Sequence, residues 1–208
     1  MIKLCIFDFD STLMNGETID FLAAAYGVGE KSASITTRAM NGELDFFESL
    51  CERVSLLKGM SYTQVLQIGK ELPLMNGAYE LVEFLHSKNI LIVIFSGGFH
   101  EGIDPAMEKL GIKLGFANYL HNKNNAVSGL VGGEMMFLSS KGLMLQRLKN
   151  FLKIKTEEVM CVGDGANDIS MFKESGLKIA FCAKEILKAN ASYCVEKKDL
   201  KELIEFIK

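Results

Sequence analysis

No two of the five cysteines in this chain (Cys5, Cys51, Cys161, Cys182 and Cys194) stand at C-x-x-C spacing, and their number is odd. That argues against a disulfide framework and leaves reduced, core-packed thiols as the expected state. Histidine is scarce as well: His86, His100 and His121 show no metal-ligand spacing, which argues against a zinc site. There is no basic excess, since 23 Lys and Arg face 26 Asp and Glu for a formal charge of -3. A nucleic-acid partner, which needs a basic face, is therefore not expected. Nor does any apolar run approach a bilayer span; Ile90 to Phe95 is among the longest, so no membrane partner is expected either. Asp8 and Asp10 interrupt the first apolar stretch, which is not the pattern of a signal peptide. A cytoplasmic protein is the expectation. Internal repeats and low-complexity tracts are absent.

What is there is globular composition: 49% hydrophobic and 24% charged residues over 208 positions. That length accommodates one compact α/β domain, or a core with a modest inserted lobe. Short, nearly continuous apolar runs recur at Ile2 to Phe7, Ile90 to Phe95, Val159 to Val162, Leu177 to Phe181 and Tyr193 to Val195. Such runs suit parallel strands buried on both faces. Between them, Ile103, Ala106, Met107 and Leu110 repeat at i, i+3, i+4, i+7, as do Leu200, Leu203, Ile204 and Ile207. The alternation predicts an α/β fold, a doubly wound parallel sheet with Rossmann-like crossovers. From about Met14 to Leu74 the alternation stops. There Ile19, Leu22, Ala23 and Tyr26, then Phe47, Leu50, Cys51 and Val54, mark amphipathic helices punctuated by Gly27, Gly29, Asn41-Gly42 and Gly59. The expectation is a small helical cap, residues 14–74, inserted after the first strand of a core formed by 1–13 and 75–208. Asn122 to Gly133, polar and glycine-containing, predicts a β-hairpin flap.

Ligands of open parallel sheets bind at the carboxyl ends of the strands, and four sequence features fall at such ends or at the helix starts that follow them. Asp8-Phe9-Asp10-Ser11-Thr12 follows the first strand. Two carboxylates so close repel unless a cation or a shared proton compensates. One can attack phosphorus covalently while the other protonates the leaving oxygen and later activates water. Alone, D-x-D is equally a polar strand-to-loop junction. Ser96-Gly97-Gly98 closes the strand Ile90 to Phe95 and offers a hydroxyl and two unhindered amides at a helix start, a phosphate cradle or an ordinary turn. Lys141 opens a helix, where a cation opposes the macrodipole by about 0.3–1 kcal/mol unless something anionic lies nearby. A solvated lysine is the alternative. Gly163-Asp164-Gly165-Ala166-Asn167-Asp168 follows the strand Val159 to Val162, and carboxylates at a strand end suit Mg²⁺. A D-G turn with Asp168 on a helix dipole accounts for it as well.

The order D-x-D-x-T, then Ser, then Lys, then G-D-x-x-x-D from Asp8 to Asp168 resembles the haloacid-dehalogenase superfamily of phosphatases. A closer resemblance, over essentially the whole chain, is to the phosphoserine phosphatase family. It is carried by D-F-D-S-T-L-M-N-G-E-T-I-D from Asp8, R-V-S-L-L from Arg53, F-S-G-G-F from Phe95 and G-D-G-A-N-D from Gly163. The resemblance implies Asp8 as nucleophile and Asp10 as general acid/base. It implies Ser96, Gly97, Lys141 and Asn167 around the phosphoryl group. Mg²⁺ would be held by Asp8, Asp164 and the Asp10 carbonyl, with Asp168 in support. From the cap, Glu17 would meet the substrate amine and Arg53 its carboxylate, with Met40 and Phe46 at apolar positions of the pocket. The implied reaction is Mg²⁺-dependent hydrolysis of O-phosphoserine, the last step of serine biosynthesis, by a monomer or homodimer. Two positions depart from the family: Asn76 where proline is frequent, and Tyr119 where arginine is. The N-terminal regulatory domain of some longer relatives is not expected, because the first strand starts at Ile2. Three other readings remain open at this stage. One is a phosphotransferase, or a phosphatase acting on another small phosphomonoester. Another is a phospho-accepting receiver, against which the cap and Asp10 count. The last is a silent binding protein, against which the full motif set counts.

Overall fold

In a computed structural model that describes residues 1–207, seven strands form one sheet in the order β4-β3-β2-β1-β5-β6-β7. They are β1 Leu4–Phe7, β2 Leu91–Phe99, β3 Leu114–Lys123, β4 Ala126–Gly133, β5 Val159–Gly163, β6 Leu177–Phe181 and β7 Tyr193–Val195. All neighbours are parallel except β3 and β4. Every residue of β1 is buried, and its side chains alternate between two cores. Cys5 and Phe7 join Ile92, Ile94, Met160 and Val162 on one face. Leu4 and Ile6 join Val93, Phe95 and Cys161 on the other. Burial on both faces explains why the apolar runs read as strands, and parallel pairing places their carboxyl ends along one edge.

Nine α-helices complete the frame among the described residues: α1 Thr18–Ala25, α2 Gly29–Met40, α3 Phe46–Ser55, α4 Tyr62–Glu71, α5 Ala78–Ser87, α6 His100–Leu110, α7 Ser140–Leu152, α8 Ile169–Phe172 and α9 Glu185–Lys188. The first four lie between β1 and β2. Of the glycines noted above, Gly27, Gly42 and Gly59 fall between successive helices, and Gly29 is the first residue of α2. Asp45 and Glu48 form a reciprocal capping box that starts α3. The two connections to this helical segment run side by side, bridged at Met14 and Leu74.

Four local expectations are corrected. The first strand starts at Leu4 rather than Ile2. β2 does not end at Phe95; it runs through Ser96-Gly97-Gly98 to Phe99, which pairs with Asn118 across a register shift. The glycines therefore sit in a bulged strand end, one residue before α6. The expected hairpin is present, but its first strand starts before Asn122: β3 begins at Leu114 as a parallel partner of β2 before turning at Asn124-Asn125, both with positive φ. Finally, Leu200–Phe206 is a 3-10 helix capped by Asp199. Of its pattern, Leu200, Leu203 and Ile207 are buried in the core, and Ile204 packs against it partly buried.

The helical segment and the hairpin share one apolar cluster. Leu22, Leu50, Val54, Leu57 and Val65 pack with Phe99, Leu120 and Val127. Each such side chain, fully buried, contributes about 1.5–3 kcal/mol. Backbone bonds reinforce the contact: Gly59 donates to Val127 O at 2.8 Å and Tyr62 to Asn125 O at 2.9 Å.

Candidate active site

Asp8 is held where β1 ends, its amide donating to Val162 O of β5 at 2.9 Å. The chain then makes one wide turn, Phe9–Leu13, closed by Met14 N–H donating to Phe9 O at 2.9 Å. Ser11 adopts φ 56° within it. Asp8 Oδ1 accepts from Phe9 N at 2.6 Å and lies 2.8 Å from Lys141 Nζ. Lys141 is 2% exposed, which removes the solvated-lysine alternative, and also lies 2.6 Å from Asp168 Oδ1. Burial opposes the lysine charge, but Asp168 and Asp8 outweigh it and hold the ammonium's pKa above its usual value. Asp168 Oδ2 accepts from the amides of Asp164 and Gly165, both at 3.0 Å. A Cβ at Gly163 would collide with that carboxylate, so glycine is required there.

The carboxylates are short of positive charge. Burial and the neighbouring Asp168 push the Asp8 pKa up, with Lys141 opposing. Burial, Asp168 and Glu17 push Asp164 up to about 7. Oxygens of Asp8, Asp164 and Asp168 lie within 4.8 Å of one another, a cluster that could bind a metal ion. Both oxygens of Asp168 are already engaged by Lys141 and two amides. Asp8 and Asp164 are therefore the carboxylates free to coordinate. Hard oxygen donors and uncompensated negative charge fit a small divalent cation.

Asp10 is held differently. Its Oδ1 accepts from Thr18 N at 2.8 Å and Thr18 Oγ1 at 2.6 Å, which ties it to the first residue of α1. Burial and Glu17 raise its pKa to about 7, against those hydrogen bonds. At neutral pH this group exists as acid and base together, as a proton shuttle must. Its Oδ2 lies 2.5 Å from where a Cβ of Gly98 would stand. Ser96 is fully buried, and its Oγ accepts from Gly98 N at 2.9 Å, leaving the hydroxyl proton to donate. Gly97 O accepts from Asn118 Nδ2 at 3.0 Å, and Asn118 Oδ1 accepts from Met135 N at 3.0 Å. This buried asparagine pins the strand end.

Over these groups lies a cleft of about 620 Å³. Asp8, Asp10, Gly97, Gly98, Asp164 and Asn167 line it from the sheet edge, and Glu17, Met40, Phe46 and Arg53 from the helical segment. Ser96, Lys141 and Asp168 lie beneath that surface. Phe46 sits directly over Gly97, where a Cβ would meet its ring at 2.8 Å, and Asn167 flanks the same glycine. Glu17 Oε1 accepts from Ser11 Oγ at 2.9 Å. Arg53 Nε donates to Ser49 O at 3.3 Å. Met40 is 74% exposed, a rim rather than a wall. Tyr119 stacks on His100 with centroids 4.2 Å apart and is not among the residues lining the cleft. Sequence reasoning gave no role to Thr18 or Asn118, and read Gly98 only as one of the two amides of a phosphate cradle. Thr18 and Asn118 act through tertiary contacts.

A family model described as haloacid dehalogenase-like hydrolase matches residues 2–176. Over 207 residues the chain is 71% identical to a phosphoserine phosphatase of Campylobacter jejuni subsp. doylei, covering 100% of both. It superposes with TM-score 0.94 and 45% identity on the structure of a phospho-aspartyl intermediate analogue of phosphoserine phosphatase, covering 100% of this chain and 99% of that one. A substrate-bound phosphoserine phosphatase complex matches with TM-score 0.94 and 45% identity over the same shares.

Proposed function

The chain belongs to the haloacid dehalogenase-like hydrolases, and we propose that it hydrolyses O-phosphoserine to serine and phosphate through an aspartyl phosphate on Asp8. The observation that carries the reading is the sharing of one cleft by the Asp8-Asp10 pair with Glu17 and Arg53. The first pair suits phosphoryl transfer. The second suits the ammonium and carboxylate of an amino acid, with arginine's planar fork matched to a carboxylate.

Lys141 neutralises Asp8 from below and fixes Oδ1, leaving Oδ2 to attack phosphorus. As the P–O bond to serine breaks, protonated Asp10 gives its proton to the leaving oxygen. Asp10, now a carboxylate, takes a proton from water, which attacks the acyl phosphate and breaks the P–Oδ bond. Phosphate leaves, Asp8 is regenerated, and Asp10 is again the acid. Ser96 and the amides near Gly97 and Gly98 would hold the phosphoryl oxygens, with Asn167 beside them. Mg²⁺ would be held by Asp8, Asp164 and the Asp10 carbonyl, with Asp168 as the support that fixes Lys141 and the Asp164 loop. When bound, it supplies the positive charge that lets an anionic nucleophile meet an anionic phosphate. Residues 14–74 act as the cap that closes over this chemistry and excludes bulk water.

The test compares kcat/KM for phosphoserine and phosphoethanolamine, which lacks the carboxylate. Arg53→Ala should lose about 10²-fold with phosphoserine and little with phosphoethanolamine, as for a charge-assisted bidentate pair. Equal losses on both would remove the amino-acid assignment.

A further inference from the structure

The cleft presents an electrostatic problem to its own substrate. Asp8, Asp10, Glu17, Asp20, Asp45 and Asp164 line it, against only two cationic lining residues, Arg53 and Lys184. A phosphomonoester of an amino acid carries net negative charge at neutral pH and must enter this field. Arg53 stands on the cap side. Lys184 stands on the sheet side, in the turn after β6, where its amide donates to Asp164 O at 2.9 Å. Its side chain is exposed. Neighbouring acids are taken by other lysines: Lys188 pairs with Glu185 at 2.9 Å and Glu196 at 2.7 Å, and Lys149 with Glu174 at 2.9 Å. Among the described residues the Lys184 ammonium has no ion pair. It lies close enough to Asp164 to counter, in part, the effect of burial on that carboxyl.

We propose that Lys184 is a steering residue at the mouth of the cleft: it draws the phosphate dianion toward the Asp8 edge, and in doing so weakens cation binding at Asp164. The inference rests on the phosphoserine reading for the identity of the anion, but not for the sign of either effect. A like charge beside a cation site lowers that site's affinity, while an opposite charge at a cleft mouth raises capture of an anion. One substitution should thus move two affinities in opposite directions. Loss of folding or of a packing contact would not do that.

Lys184→Ala should lower kcat/KM for phosphoserine roughly 3–10-fold at low ionic strength, and the loss should shrink toward unity as salt screens it. The loss should lie in KM, with kcat nearly kept. In the absence of substrate, Mg²⁺ titrated by thermal shift should reach its midpoint at a roughly 2–5-fold lower concentration than in wild type. Lys184→Glu should exaggerate both effects, and Lys184→Arg should restore both. Inorganic phosphate, titrated by the same thermal shift, should bind more weakly to Lys184→Ala. A wild-type protein that binds phosphate but leaves phosphoserine intact would sink the substrate reading, and the phosphate and Mg²⁺ titrations would still decide the role of Lys184. Unchanged affinities in Lys184→Ala, a salt-independent loss, or the same loss in Lys184→Arg would each overturn the proposal.

Discussion

Gly98 has room for hydrogen and nothing larger, since a Cβ there would lie 2.5 Å from Asp10 Oδ2 and 3.1 Å from Ser96 Oγ. Gly98→Ala should therefore move the acid rather than unfold the chain. A positioned acid is worth about 10²–10⁴ in rate, so the expected loss in kcat/KM for phosphoserine is at least ~10²-fold, with the melting temperature nearly kept. Steady-state kinetics beside a melting curve check it. Asp10 itself, raised to about 7 by burial and Glu17, makes a second prediction at this scale. The first step needs its protonated form, so kcat/KM for phosphoserine should fall as pH rises above about 7. The first-turnover burst from p-nitrophenyl phosphate, whose leaving group needs no proton, should not fall. Asp10→Asn should likewise keep much of that burst while losing phosphoserine turnover. These side chains were legible in part. Asp8, Asp10 and Asp164 stand in short motifs at strand ends, where the sequence itself points at the sheet edge, and Lys141 opens a helix. Thr18, which orients Asp10, and Asn118, which pins Gly97, have nothing local to mark them.

At the scale of elements, apolar runs located the strands because both sheet faces are covered. β6 and β7 keep the expected bounds. β2 ran past its apolar run because Phe99 regains pairing with Asn118 after a bulge that glycines permit. The C-terminal pattern satisfied α and 3-10 spacing alike over Leu200 and Leu203, and periodicity alone does not separate the two. The helical segment was legible as helices, but its dependence on the hairpin was not, because Leu120 and Val127 lie far from it in sequence. One contact between elements invites measurement. Phe47 of α3 stacks on Phe137, just before α7, with centroids 5.3 Å apart and planes 16° apart. Such a pair contributes about 0.5–1.5 kcal/mol beyond burial. Phe47→Ala should loosen the cap and raise KM about 2–10-fold, and Phe137→Ala should add little to it. Additive losses in the double variant would show that the stack does not couple the two sides.

For the molecule as a whole, the acidic cluster sets stability against function. Folded Asp10 and Asp164 hold protons up to about pH 7, whereas an unfolded aspartate releases its proton near about 3.9. Their contribution is full below the unfolded value and is lost as pH rises through about 7. The metal-free protein should lose stability between about pH 4 and pH 7 at this cluster. Asp164→Asn should remove part of the loss, worth roughly 2–8 °C in melting temperature at pH 8 for ~1–2 kcal/mol. Added Mg²⁺ should stabilise wild type strongly and the variant weakly; a pH-independent difference would contradict the linkage. The account as a whole turns on Asp8 as the atom that carries phosphorus, and rapid quenching with acid during turnover of phosphoserine, followed by peptide mass mapping, reads this directly. The expected result is a phosphoryl adduct on the peptide containing Asp8, labile to hydroxylamine and absent from folded, inactive Asp8→Asn. Turnover by Asp8→Asn, or an adduct on any other residue, would contradict it.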